Sequence, residues 1–205
     1  KDTIAPNVMC MDTFVYLNAM GYAVIDSSFI LDGVTDNCPS TLTYSISQDT
    51  IRCLDADTAY VTLKVVDQFG NADSCIAKVN VRDTIAPVAV ANNTSIVYLD
   101  SMGNANLDST FLWTFVDNGS YDNCDFELSA IDSVFECPEE GLNLVTLVAT
   151  DAAGNTGTDE FFLTVDDTIQ PMAVGHNVTV ALNDNGMVSI DPSLIDSASW
   201  DNCMD

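Results

Sequence analysis

The stretch Tyr60-Val61-Thr62-Leu63-Lys64-Val65-Val66-Asp67-Gln68-Phe69-Gly70-Asn71, continuing to Ala77, Val79 and Val81, decides the fold. Val61, Leu63 and Val65 alternate with Tyr60, Thr62 and Lys64, and the alternation resumes at Ala77, Val79 and Val81. Side chains on a strand point to opposite faces in turn, so this spacing predicts half-buried strands. Asp, Gly and Asn between them supply the local hydrogen bonds and positive φ of a turn, which makes the pair a hairpin. The same hairpin returns downstream. Val145, Leu147 and Ala149 alternate with Leu144, Thr146 and Val148, then comes Asp151-Ala152-Ala153-Gly154-Asn155, then Phe161, Leu163 and Val165.

Each hairpin runs without a linker into one phrase. Asp2-Thr3-Ile4-Ala5-Pro6 recurs as Asp83-Thr84-Ile85-Ala86-Pro87 and as Asp167-Thr168-Ile169-Gln170-Pro171, at spacings of 81 and 84. Between these starts the landmarks keep their order. Leu17-Asn18-Ala19-Met20-Gly21 matches 99–103 and 182–186, and Asp36-Asn37-Cys38 matches Asp122-Asn123-Cys124 and Asp201-Asn202-Cys203. The chain therefore divides into repeats 1–82, 83–166 and 167–205. The third stops short of its hairpin, so a longer array or a second chain is expected to complete it. About seven short strands per repeat predict an all-β fold of tandem immunoglobulin-like β-sandwich repeats of about 80–85 residues, in an extended rod. Short helical turns are expected at 27–31 and 109–115.

Among 205 residues there are 26 Asp, five Glu and five bases, for a net charge of −26, and all five bases lie in 1–82. Asp competes for backbone hydrogen bonds and favours turns and caps, which argues against a long helical protein. A 47% apolar content excludes disorder. The acidity excludes non-specific nucleic-acid binding and attraction to an anionic membrane. No apolar run reaches the roughly 18–20 residues of a membrane span. Lys1 as first residue is compatible with a removed leader.

The repeats act as a control on the seven cysteines. Repeat two replaces Cys10 and Cys75 together, with Ala91 and Asp159, which points to a Cys10–Cys75 bond. Cys38 with Cys53 and Cys124 with Cys137 are the remaining expected pairs, each closing a loop of about 15 residues worth roughly 3 kcal/mol by chain entropy. Cys203 is then left over. Such disulfides place the protein in an oxidising, secreted or cell-surface setting. A zinc site lacks its spacing, since there is no Cys-x-x-Cys and His176 is the only histidine.

The hairpin turns should come back to where each repeat begins. Asp67 and Asn71 then approach Asp2, and Asp151 and Asn155 approach Asp83. Carboxylates gathered so closely repel unless a cation lies between them. Ca²⁺, with six to eight oxygen ligands in flexible geometry, suits them better than Mg²⁺. Asp36 and Asp122 of the Asp-Asn-Cys loops can add oxygens, although strand parity does not fix which end those loops occupy.

These motifs in fixed order resemble bacterial hyalin-type (HYR-like) and related immunoglobulin-like repeats of long secreted and cell-surface adhesins of Bacteroidota. The resemblance covers the whole chain. It implies calcium near domain junctions, which falls here on Asp83 and Asp167 together with Asp67, Asp151 and the Asp-Asn-Cys aspartates. Many Asp precede Ser or Thr, at Thr3, Thr50, Thr58, Thr84, Ser101, Ser133, Thr168 and Ser197. This resembles a Bacteroidota O-glycosylation pattern, and cap chemistry explains it equally well. Asn92, Asn93, Asn118 and Asn177 matter only in a host that glycosylates asparagine.

No phosphate loop, nucleophile elbow or recurring histidine marks an enzyme, and the adjacent Glu139 and Glu140 read as a solvated loop. Two readings remain. The first is a calcium-rigidified stalk or filament whose partners are neighbouring repeats or identical chains. The second is an adhesive module for surface glycans or proteins, with Tyr121 and Trp200 before two Asp-Asn-Cys motifs as its platform.

Overall fold

The computed structural model describes residues 2–38, 41–53 and 57–203 and is all-β apart from short helical turns. The chain forms two compact units. The first comprises Lys1–Val88, Ser120–Glu127 and Ala149–Gly157; the second comprises Ala89–Gly119, Leu128–Val148 and Thr158–Asp205.

In the first unit the strands are β1 (Asn7–Cys10), β2 (Thr13–Tyr16), β3 (Tyr22–Val24), β4 (Leu31–Thr35), β5 (Thr43–Ile46), β6 (Thr50–Arg52), β7 (Thr58–Val66) and β8 (Ala72–Arg82). One sheet has the order β2-β8-β7-β5, and β1-β4 and β3-β6 form the opposing pairs. The first segment of the chain serves both layers, since β1 pairs antiparallel with β4 while β2 runs parallel to β8. That change of sheet, with Greek-key order, makes an immunoglobulin-like sandwich. Its core joins Val8, Val15, Ile30 and Ile51 to Val61, Leu63, Val65, Ala77 and Val79 from the β7–β8 hairpin. The alternating residues of the hairpin are those buried. Lys64 and Tyr60, between them, are exposed. Helical turn α1 (Ser27–Ile30) is capped by Asp26, which accepts from the Ser28 amide.

Residues 94–166 carry β9 (Thr94–Tyr98), β10 (Asn104–Asn106), β11 (Phe126–Ile131), β12 (Val134–Glu136), β13 (Gly141–Asp151) and β14 (Thr156–Asp166). They form a sheet of order β11-β13-β14-β9 and a β10-β12 pair, and β9 again runs parallel to the last strand. Phe161, Leu163, Val165, Val145 and Leu147 fill the core. Helical turn α2 (Ser109–Phe111), capped by Asp108, continues into a π-turn at Leu112–Val116 that buries Leu112 and Val116. Residues 171–200 form bridges Met172↔Trp200 and Gly175↔Asp196, and their side chains are almost all exposed.

Candidate metal centres

Three local turns build each centre. At the repeat starts, Asp2, Asp83 and Asp167 each accept the amide two residues on, from Ile4 (3.0 Å), Ile85 (3.0 Å) and Ile169 (2.9 Å). At the hairpin tips, Asp67 accepts from the Phe69 and Asn71 amides at 2.8 Å and from Asn71 Nδ2 at 2.7 Å. Asp151 accepts from the Asn155 amide and Nδ2, both at 2.8 Å. Asp67 and Asp151 are buried, at 5% and 6% exposure. In the Asp-Asn-Cys loops, Asn37, Asn123 and Asn202 donate through Nδ2 to Asp2 (3.2 Å), Asp83 (3.0 Å) and Asp167 (3.0 Å).

Carboxylate oxygens of Asp2, Asp36 and Asp67 consequently lie within 4.8 Å of one another, as do those of Asp83, Asp122 and Asp151. The loops thus occupy the end where each repeat begins. Asn71 and Asn155 turn their amide nitrogens toward the aspartates and orient them. Asp167 is held by Ile169 and Asn202, outside any such triad among the described residues.

Two unit charges 4 Å apart repel by about 4 kcal/mol at an effective dielectric near 20. Burial, and then the charges of Asp83 and Asp151, push Asp122 above the usual carboxylate range despite the Asn123 and Cys124 amides. Burial also pushes on Asp67, but the Asn71, Phe69 and Gly70 hydrogen bonds outweigh it and hold this carboxyl low. Asp2 is held low chiefly by the Ile4 amide. Among the described residues, Asp2 Oδ2 and Asp122 Oδ1 are buried without a hydrogen-bond partner. Buried polar atoms are normally satisfied, so orphaned carboxylate oxygens inside an acidic triad fit a hard divalent cation. Beside the second triad a cleft of about 590 Å³, lined by Cys53, Arg82, Asp83, Cys124 and Asp151 among others, leaves room for water ligands.

The cysteine pairing departs from expectation. Cys10 is bonded to Cys75. Cys53, however, is bonded to Cys124 and not to Cys38, and Cys137 to Cys203 and not to Cys124, while Cys38 is free. The reason is length. Cys38 sits beside Asp2, at the start of the sandwich. Cys53 donates its amide to Gly21, in the turn after Leu17, whose amide bonds Arg82 at the end of β8. The eleven residues of β8 separate the two ends by about 35 Å at roughly 3.3 Å per residue. At the far end Cys53 meets Cys124, which follows Asn123 and so lies beside Asp83. Cys203 is thus not left over; Cys38 is.

Gly21 makes this approach possible. With φ +72°, it has the Asn123 carbonyl 2.3 Å and Cys53 Sγ 2.8 Å from where a Cβ would stand. Gly103 (φ +75°) is packed alike, against Cys137 Sγ at 2.5 Å and the Asn202 carbonyl at 2.8 Å. These glycines and the three loop asparagines hold the centres and the bonded loops in place, and spacing alone does not single them out. Their recurrence in every repeat was the available signal.

Of the acceptor candidates, Thr3, Thr84, Ser101, Thr168 and Ser197 are exposed, and Thr50, Thr58 and Ser133 are half-buried. Tyr121 and Trp200 are exposed at 61% and 44%. No helix of the described residues is long and apolar enough to cross a membrane. With three disulfides in so small a chain, the protein is secreted or displayed at the cell surface.

No family model and no curated protein matches the chain. Among solved structures, the I-band fragment from titin is 15% identical over 83% of this chain and 70% of its own, with a TM-score of 0.34. Human mucin-like protocadherin EC1-2 is 12% identical over 80% of this chain and 98% of its own, at 0.40. Sidekick-1 immunoglobulin domains 1-5 are 10% identical over 84% and 42%, at 0.42.

Proposed function

We propose that the chain is a spacer: a stalk or filament segment of a long extracellular protein, built from repeats 1–82, 83–166 and 167–205. Calcium at each acidic triad stiffens the segment, and strong negative charge keeps such segments soluble and apart. The observation that carries this reading is the disulfide pattern. Each bonded Asp-Asn-Cys cysteine is tied to the repeat before it, Cys124 to Cys53 and Cys203 to Cys137. A binding module needs no covalent tie between successive repeats, whereas a stalk gains continuity from one. No catalytic role is assigned.

Calcium titration of the full chain tests the proposal. Asp2, Asp36 and Asp67 would hold one ion, and Asp83, Asp122 and Asp151 another, with the melting temperature rising on addition and falling with EDTA. An unchanged melting curve and unchanged scattering radius with and without the ion would remove calcium from the proposal. The adhesive reading retains one supporting observation, the exposed Tyr121 and Trp200. Glycan-array binding lost on Tyr121→Ala and Trp200→Ala would favour it.

A further inference from the structure

We infer that the Asp36-Asn37-Cys38 loop is a docking and cross-linking surface for a further repeat of this same kind. That repeat would present its Leu-(Asn/Asp)-x-x-Gly turn and the cysteine that takes the place of Cys53. The inference rests on the reading of the chain as cross-linked repeats.

The other two loops of this type show what the surface does when filled. Asn123 Nδ2 donates to the Asn18 carbonyl (3.4 Å), the Asn123 carbonyl covers Gly21, and Cys124 bonds Cys53. Asn202 Nδ2 donates to the Asp100 carbonyl (3.3 Å), the Asn202 carbonyl covers Gly103, and Cys203 bonds Cys137. One motif thus makes one set of bonds to one kind of partner twice in this molecule.

The unfilled loop already holds the same internal arrangement. Asn37 Nδ2 lies 3.2 Å from Asp2 Oδ1 and 3.3 Å from its neighbour Cys38 Sγ. The filled loops have 3.0 and 3.5 Å, and 3.0 and 3.6 Å. The turn on the opposite side of such a contact is preformed as well. Gly186 has φ +73°, close to Gly21 and Gly103, and nothing lies within 4 Å of its Cβ position. Docking therefore joins two surfaces that need no rearrangement, which lowers the ordering cost of association. In the bond-forming step, Cys38 and the incoming cysteine give up two protons and two electrons. A disulfide oxidant accepts them and leaves as two thiols.

The test places residues 1–165 directly ahead of Lys1 of the full chain, which keeps the native spacing from Val165 to the next Asp-Thr-Ile. After folding in a glutathione redox buffer, non-reducing peptide mapping should link Cys137 of the leading copy to Cys38 of the following copy. Cys38 of the leading copy should stay a thiol. A free Cys38 in the following copy, or its bond to Cys53 of its own copy, overturns the inference. Gly103→Ala in the leading copy should lower the yield of that link several-fold while Cys10–Cys75 still forms. A yield unchanged by that substitution would separate the thiol chemistry from the docking and also overturn it. The single chain, oxidised alone at high concentration, distinguishes a second chain as the source: a Cys38–Cys38 dimer counts against the inference. Loss of Cys53–Cys124 from the map would instead sink the cross-linked-repeat reading.

Discussion

The two acidic triads are alike in their carboxylates and unlike in surroundings. Around Asp2, Asp36 and Asp67 the Asp-Asn-Cys loop ends in the free Cys38. Around Asp83, Asp122 and Asp151 the same loop is bonded through Cys124 and covers Gly21. The difference shows that the carboxylate arrangement does not depend on a docked partner, because it forms with and without one. What the bonded loop adds is covalent closure; at Asp122, burial is the chief cause that lifts the carboxyl.

The largest test of this contrast removes the closure. The Cys53–Cys124 bond spans 71 residues, so chain entropy assigns it about 4 kcal/mol. The double replacement Cys53→Ser, Cys124→Ser should cost about that much by urea unfolding, whereas Cys38→Ser should stay within about 0.5 kcal/mol. Equal effects would erase the distinction between the two loops. Next comes the covered glycine. Gly21→Ala combines a left-handed backbone cost of about 1–2 kcal/mol with overpacking of about 1–3, whereas Gly186→Ala should carry only the first. Comparable losses at both positions would show that the Asn123 carbonyl yields freely.

Calcium sharpens the likeness of the two triads. At a hundredfold excess over its dissociation constant, one site should add about 2.7 kcal/mol. Asp36→Asn and Asp122→Asn should each remove one of two ions by calorimetric titration; removal of both by either variant would mean a single shared site. The smallest effect is the pH dependence without calcium. Asp67 is held low, so its stabilisation is complete above its unfolded pKa and is lost as pH falls through the folded value. Asp122 is raised, so its protonation favours the folded state as pH falls and partly offsets that loss. Asp122→Asn should therefore steepen the acid loss of stability, and a shallower profile would contradict the assigned direction.

Much of this was legible in the residues. Alternation at 61–65, 77–81, 145–149 and 161–165 names the buried faces because a strand has only two sides. Repetition then turned scattered aspartates into groups, as Asp67 and Asp151 had to return to the ends where Asp2 and Asp83 enter. The cysteine partners were not legible. Cys38 and Cys53 are only 15 positions apart in the sequence, but the sandwich lies between them. A short loop in sequence says nothing about which end of a β-layer each terminus reaches. Asn37 and Gly21 were hidden for a related reason. Their partners, Asp2 and Asn123, come from other turns, and spacing within a motif carries no record of what packs against it.

The parallel pairing of β2 with β8 has a consequence for force. Tension applied through the ends of this sandwich would run along both strands in opposite senses. The four registered pairs from Thr13↔Val79 to Tyr16↔Arg82 would then resist as one, sheared together rather than opened singly. If that clasp gave way, Cys10–Cys75, at a sequence separation of 65, would still hold the segment between its cysteines out of the extensible length. A pulled chain would lengthen in short, capped steps.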